Sequence, residues 1–165
     1  MSATARILAG NEAYAATFSP SARAAAPALK VAIVACMDAR LDPARALGIG
    51  EGDAHVIRNA GGVVTDDVIR SLSISQHLLG TEEIVFVHHT DCGMQKFTDE
   101  EFADARERTS GQRPSWPAAT FQDLHESVRE CIRRVRESPF IAHKHCVRGF
   151  VYEVESGRLR EVPGT

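Results

Sequence analysis

Two short runs of unbroken apolar residues, Val31-Ala32-Ile33-Val34-Ala35 and Ile84-Val85-Phe86-Val87, constrain this chain more than any other feature. Both fall at strand length and neither alternates with polar residues, so each reads as a strand covered on both faces. Such strands belong to parallel sheets, whose crossover helices lie over the two faces. The chain around them supplies those helices. Asp42-Pro43 offers an N-cap and a proline at the first helical position, predicting a short helix to about Leu47. The sheet resumes over 54–58, and Gly61-Gly62 makes a flexible loop. Thr65-Asp66-Asp67 starts a helix in which Val68, Ile69, Leu72, Leu78 and Leu79 recur at roughly helical spacing before Gly80 stops it. Thr98-Asp99-Glu100-Glu101 is a capping-box pattern for a helix to about Arg108. A polar connection follows, then a long helix over 121–137 with Leu124, Val128, Cys131, Ile132 and Val135 as its apolar stripe. Pro139 breaks that helix, and segments 149–154 and 158–162 form a terminal hairpin around Ser156-Gly157. The alternation predicts an α/β fold with a mainly parallel sheet and an antiparallel edge.

At 165 residues the chain suits one compact domain. Its 44% hydrophobic and 25% charged residues are those of a globular protein. A net charge of −3 and a pI near 6.2 set aside nucleic acid and anionic membrane as partners. Residues 1–30 read as a helical arm over 3–18, ended by Ser19-Pro20 and followed by an Ala/Pro linker. Ile7-Leu8-Ala9 is broken by Gly10, Asn11 and Glu12, which fits neither a secretory signal nor a spanning helix. Residues 31–165 then form a single α/β domain. Four cysteines without a secretory signal read as reduced thiols in a cytoplasmic protein.

In open parallel sheets, ligands gather beyond the carboxyl ends of the strands, where connections leave in opposite directions. Two chemically loaded segments begin at such ends: Cys36-Met37-Asp38-Ala39-Arg40, and His89-Thr90-Asp91-Cys92. Together they offer two soft thiolates and an imidazole, a donor set that zinc prefers. Three protein ligands leave one tetrahedral position open, as in catalytic rather than structural zinc sites. The plainer reading makes each Cys a small buried hydrophobe at a strand end.

The segments C-M-D-A-R, R-N-A-G-G over 58–62, and H-T-D-C-G over 89–93 resemble, in order and spacing, the β-class carbonic anhydrases. The resemblance runs from about Leu29 to the C-terminus and is closest to the small prokaryotic members. It implies a sheet of four parallel strands with an added antiparallel C-terminal edge strand, flanked by helices. It implies one zinc ion per chain on Cys36, His89 and Cys92, with Asp38 and Arg40 as a catalytic dyad of one acidic and one basic residue beside the metal. Asp38 is further expected as a conditional fourth ligand in a closed state. Gly61 and Gly62 are expected to let backbone approach the substrate. The implied activity is reversible hydration of CO2 to bicarbonate and a proton by a hydroxide held on the zinc. The implied assembly is a homodimer, or a tetramer built from dimers, embraced by the N-terminal arm. Ala39 departs from the serine usual in that position, and Met94 from the second glycine of the larger plant-type enzymes.

Two rivals accompany this reading: a CS2 or COS hydrolase on the same fold, and a non-catalytic zinc-binding protein. His88 adjoins His89, but successive strand residues face opposite sides, so His88 reads as structural. Cys131 lies on a helical apolar stripe and reads as core. His143-Lys144-His145-Cys146 looks like a metal cluster but lacks a paired motif. His55 and His77 are proton-shuttle candidates by virtue of their titration range alone. The arginines over 129–136, interleaved with Glu126, Glu130 and Glu137, read as a solvated helix face.

Overall fold

A computed structural model describes residues 1–19 and 24–164. Its elements are α1 (Ala3–Thr17), β1 (Val31–Cys36), α2 (Pro43–Leu47), β2 (Ala54–Asn59), α3 (Asp66–Leu79), β3 (Glu83–His89), α4 (Asp99–Ser110), α5 (Leu124–Glu137), β4 (Val147–Tyr152) and β5 (Leu159–Glu161). Short 3-10 turns occupy Ala60–Gly62 and Gly93–Gln95.

The five strands lie in the order β2-β1-β3-β4-β5. β2, β1, β3 and β4 run parallel, and β5 returns antiparallel to β4. The chain leaves β1 towards β2 on one side and leaves β3 towards β4 on the other, so the switch point lies between the ends of β1 and β3. Cys36 and His89 are the last residues of those two strands.

Period-two alternation divides the core into two layers. Ala32, Val34, Ile84 and Phe86 face α3 and α5, where Leu72, Val128, Ile132 and Val135 are buried. Ile33, Ala35 and Val87 face the other way, onto Leu41, Cys92 and Met94, and Cys36, at the end of β1, packs with that layer too. Both short apolar runs are therefore covered on both faces, as a central strand of this kind requires.

Helix ends follow local chemistry. The Asp42 carboxylate accepts from the N–H groups of Ala44 and Arg45, and left-handed Gly48 ends α2. Thr98 and Glu101 form a reciprocal capping box on α4. α5 begins three residues later than its apolar pattern suggests, because Asp123 accepts from Glu126 N–H and caps it there. Phe121, freed from the helix, stacks on His88 with ring centroids 5.5 Å apart.

α1 buries none of its residues. It touches the domain through Tyr14, whose hydroxyl donates to Glu51 over 2.7 Å. Pro20 and the start of the expected linker fall outside the described residues. Further on, the amides of Ala28 and Leu29 donate to the carbonyls of Gly52 and Asp53 and tie the chain to the sheet.

Candidate metal centre

The pairing of β1 with β3 sets Cys36 level with the end of β3, and a tight turn after His89 brings Cys92 back to meet it. The donor atoms of Cys36, His89 and Cys92 lie within 4.8 Å of one another, and all three residues are buried. Tetrahedral zinc with bonds of about 2.0–2.3 Å spaces its ligand atoms roughly 3.5–3.8 Å apart, so small side-chain adjustments seat the ion.

His89 is prepared for a metal. Its Nδ1 lies 2.9 Å from the Thr90 carbonyl oxygen. A carbonyl only accepts, so Nδ1 carries a proton, and it is Nε2 that presents the lone pair whenever the ring is neutral. That buried Nε2 has no hydrogen-bond partner. A buried acceptor without a partner is costly, and a metal ion removes the cost.

The thiols point the same way. The Cys36 thiol is lowered, first by its hydrogen bond with Cys92, against burial, and then by His89 and the amides of Asp38 and Gly61. Cys92 is pushed up by its bond to Cys36 and by burial, although the Met94 amide faces it. The two sulfurs thus share one proton readily, and a cation is what allows the second to leave. Burial pulls His89 down, but its contacts with Cys36, the Thr90 carbonyl and Asp38 outweigh that and raise it.

Asp38 stands at the rim, with Oδ2 3.7 Å from His89 Nε2. Arg40 grips it in fork fashion: Nε donates to Oδ1 over 3.0 Å and an Nη donates to Oδ2 over 2.8 Å. The Arg40 backbone amide adds a third bond, over 2.9 Å. The guanidinium contact, more than any other, holds the Asp38 carboxyl well below the usual carboxylate range.

Gly61 and Gly62 both take left-handed backbone, with φ of 83° and 69°. A Cβ on Gly62 would sit 2.8 Å from the Cys36 nitrogen and 2.9 Å from the Ala35 carbonyl carbon. The loop therefore lies directly on the end of β1, and the Gly61 amide faces the Cys36 sulfur. Arg58 had no role in the sequence reading beyond its place in the R-N-A-G-G motif. Its guanidinium donates to the carbonyls of Cys36, Asp38 and Leu41 over 2.8–3.0 Å and so holds the loop that carries the Asp–Arg pair.

The remaining candidates separate cleanly. His88 faces the other layer, with Nε2 3.2 Å from the Gly62 carbonyl and 3.9 Å from the Cys131 sulfur. Burial lowers His88 to about 4 and raises the Cys131 thiol to about 11, so both stay neutral. His55 pairs with Ala32 at the opposite end of the sheet, four residues along β2 from Asn59, roughly 13 Å at strand rise. His77 lies in the last turn of α3, with Nε2 3.3 Å from the Phe140 carbonyl. Neither shuttle candidate borders the centre. The His143 segment packs through backbone, its amide and carbonyl both bonded to the Gln76 side chain. The arginine face of α5 is tied down: Arg134 reaches the Val64 carbonyl and Asp66, and Arg136 the Val147 carbonyl.

An open α/β sheet that gathers a Cys-His-Cys donor set and an Asp–Arg pair at its switch point defines a class of mononuclear zinc-type proteins. A family model described as carbonic anhydrase matches residues 31–116. Beta-carbonic anhydrase 1 of Mycobacterium tuberculosis is 53% identical over 162 residues, covering 98% of this chain and 99% of that protein. The solved carbonic anhydrase of Streptococcus mutans superposes with a TM-score of 0.93 at 47% identity, covering 98% of each chain. A carbon disulfide hydrolase of Acidianus is 39% identical over 153 residues, covering 78% of this chain and 75% of its own. The chain belongs to the β-carbonic anhydrase family.

Proposed function

We propose that this protein is a carbonic anhydrase that interconverts CO2 with bicarbonate and a proton, using one zinc ion per chain. The observation that carries the reading is the buried, unpartnered Nε2 of His89, set between two thiols and beside an arginine-held aspartate. Cys36, His89 and Cys92 would hold the metal. When bound, zinc supplies Lewis-acid chemistry that makes a hydroxide nucleophile available near neutral pH.

The chain's own residues supply the rest. Asp38, kept ionised by Arg40, accepts a hydrogen bond from the nucleophile and so orients its lone pair towards CO2. It also selects against species with no proton to give. Arg40 keeps the carboxylate turned outward; without that grip Asp38 would be free to turn inward and serve as a fourth ligand to the metal. Gly61 and Gly62 keep the loop beside Cys36 free of side chains where the substrate approaches.

No described helix is long and apolar enough to cross a membrane. The protein works in the cytoplasm as a homodimer or dimer-based tetramer. The exposure of Ile7, Leu8, Tyr14 and Phe18 on the arm supports its packing against a second subunit.

A second reading, hydrolysis of CS2 or COS, draws support from the similarity to the Acidianus enzyme. Metal analysis with stopped-flow hydration assays, on wild type and Asp38→Ala, separates the two. The expected result is one zinc per chain, rapid CO2 hydration, and a loss of about 100-fold or more in the variant, the scale seen when an oriented polar group is removed from a reacting centre. Zinc with CS2 turnover and no CO2 turnover puts the second reading ahead.

A further inference from the structure

Arg40 has two sides, and Asp38 occupies one of them. On the other, an Nη donates to Asp91 Oδ2 over 2.8 Å, and the Nη that binds Asp38 also donates to the Asp91 backbone carbonyl over 3.0 Å. Asp91 is itself anchored, with Lys96 Nζ 2.7 Å from its second carboxylate oxygen.

The backbone is shaped for this contact. Asp91 has φ of 54°, in the left-handed region that a non-glycine residue seldom enters. Aspartate tolerates that region better than most residues. The conformation places the carbonyl and carboxylate of one residue on one guanidinium. It occurs in the two-residue turn, Thr90-Asp91, that returns the chain from His89 to Cys92.

We propose that Asp91 is a positioning residue: its carboxylate and carbonyl clamp the outer edge of Arg40, so that the inner edge keeps Asp38 away from the metal. Lys96 completes the chain by holding Asp91. The inference rests on the metal-centre reading above and assigns a cause to the open arrangement. A planar five-donor fork suits the task, because fixing one edge orients the other, which a lysine point charge does not do. Asp38 is close enough to need restraint, standing 3.7 Å from His89 Nε2.

The groups that face this clamp are Asp38, Asp91, Lys96 and His89. Arg40, Asp91 and Lys96 are about half exposed or more, which limits the effect of each ion pair. Losing the Asp91 carboxylate is therefore expected to change turnover by about three- to tenfold, the range of exposed pairs acting together.

The test uses the intact protein loaded with cobalt(II), with azide as probe for the position Asp38 would fill. Asp91→Ala is expected to keep one metal per chain, lower kcat three- to tenfold with KM little changed, and weaken azide binding by a similar factor in the cobalt absorption spectrum. Adding Asp38→Ala to Asp91→Ala is expected to bring azide affinity to that of Asp38→Ala alone, so that the loss of Asp91 no longer matters, while leaving turnover low. Asp91→Asn, which keeps the shape and tolerates the left-handed backbone, is expected to shift azide affinity in the same direction and serves if the alanine variant folds poorly. Unchanged azide affinity in a metal-replete Asp91 variant overturns the clamp, as does a double variant that binds azide more weakly than Asp38→Ala alone. If wild type binds metal but does not hydrate CO2, the proposed activity fails, while the azide comparison still decides the role of Asp91.

Discussion

Gly62 shows how a single hydrogen atom in place of a methyl group determines whether the centre assembles. Its Cα lies so close to β1 that an added Cβ meets two backbone atoms at 2.8 and 2.9 Å, and backbone cannot step aside as a flexible side chain can. Left-handed φ adds to the cost. Gly62→Ala is expected to destabilise the protein by about 2–4 kcal/mol, near the upper end for overpacking, and to lower zinc retention because the displaced atom belongs to Cys36, a proposed ligand. At Gly61 the neighbours are side-chain atoms of Phe121, Met94 and Val63 at 3.1–3.3 Å, so Gly61→Ala should cost less. Thermal unfolding of the two variants, with zinc analysis of each, checks the order. At this scale the cluster of Cys36, His89 and Cys92 was legible because thiols and imidazoles announce their chemistry by residue type. Arg58 and Asp91 were not. Their partners are largely backbone carbonyls and residues brought near by folding, and a carbonyl has no signature in a sequence.

Helices and strands were legible where local chemistry decides them. Asp42-Pro43, Thr98 with Glu101, and Gly80 each perform in the structure the capping role that their residue types suggest. The start of α5 was misplaced because its apolar stripe extends over Phe121, while the cap at Asp123 and the stacking of Phe121 on His88 depend on tertiary contacts. The arm raises a different question, since α1 makes a full helix yet buries nothing. Its Ile7 and Leu8 are 70% and 60% exposed, a poor end state for an isolated helix of 15 residues. Removing residues 1–19 is expected to weaken self-association, read as a fall in mass by light scattering at micromolar concentration. The metal centre should survive, because no ligand and no core residue lies in α1, so zinc content and turnover per folded chain serve as the internal control. Full retention of the dimer would assign the interface to another surface.

For the molecule as a whole, the alternation of strands and helices made the parallel sheet legible, whereas the strand order was not, because it depends on which side of β1 each crossover takes. That order places Cys36 and His89 at one switch point, so the proposed metal would be held by two sulfurs, both thiolates once it binds. Two thiolates cancel the double charge of zinc, so such a centre acidifies water less than one with three neutral imidazoles, for which the value is about 7. The active form is the deprotonated one, so turnover should be low in acid and rise as pH climbs from 6 to 9. Asp38 does not cause this rise: Arg40 holds its carboxyl well below the usual range, so it stays ionised throughout that window. Nor does His88, which burial keeps neutral above about 4. The profile expected from stopped-flow CO2 hydration is therefore a single ascending titration with its midpoint on the alkaline side of 7. A rate that stays flat between pH 6 and 9 would contradict the ligand-charge argument, since it would require the nucleophile to be fully formed already in mild acid.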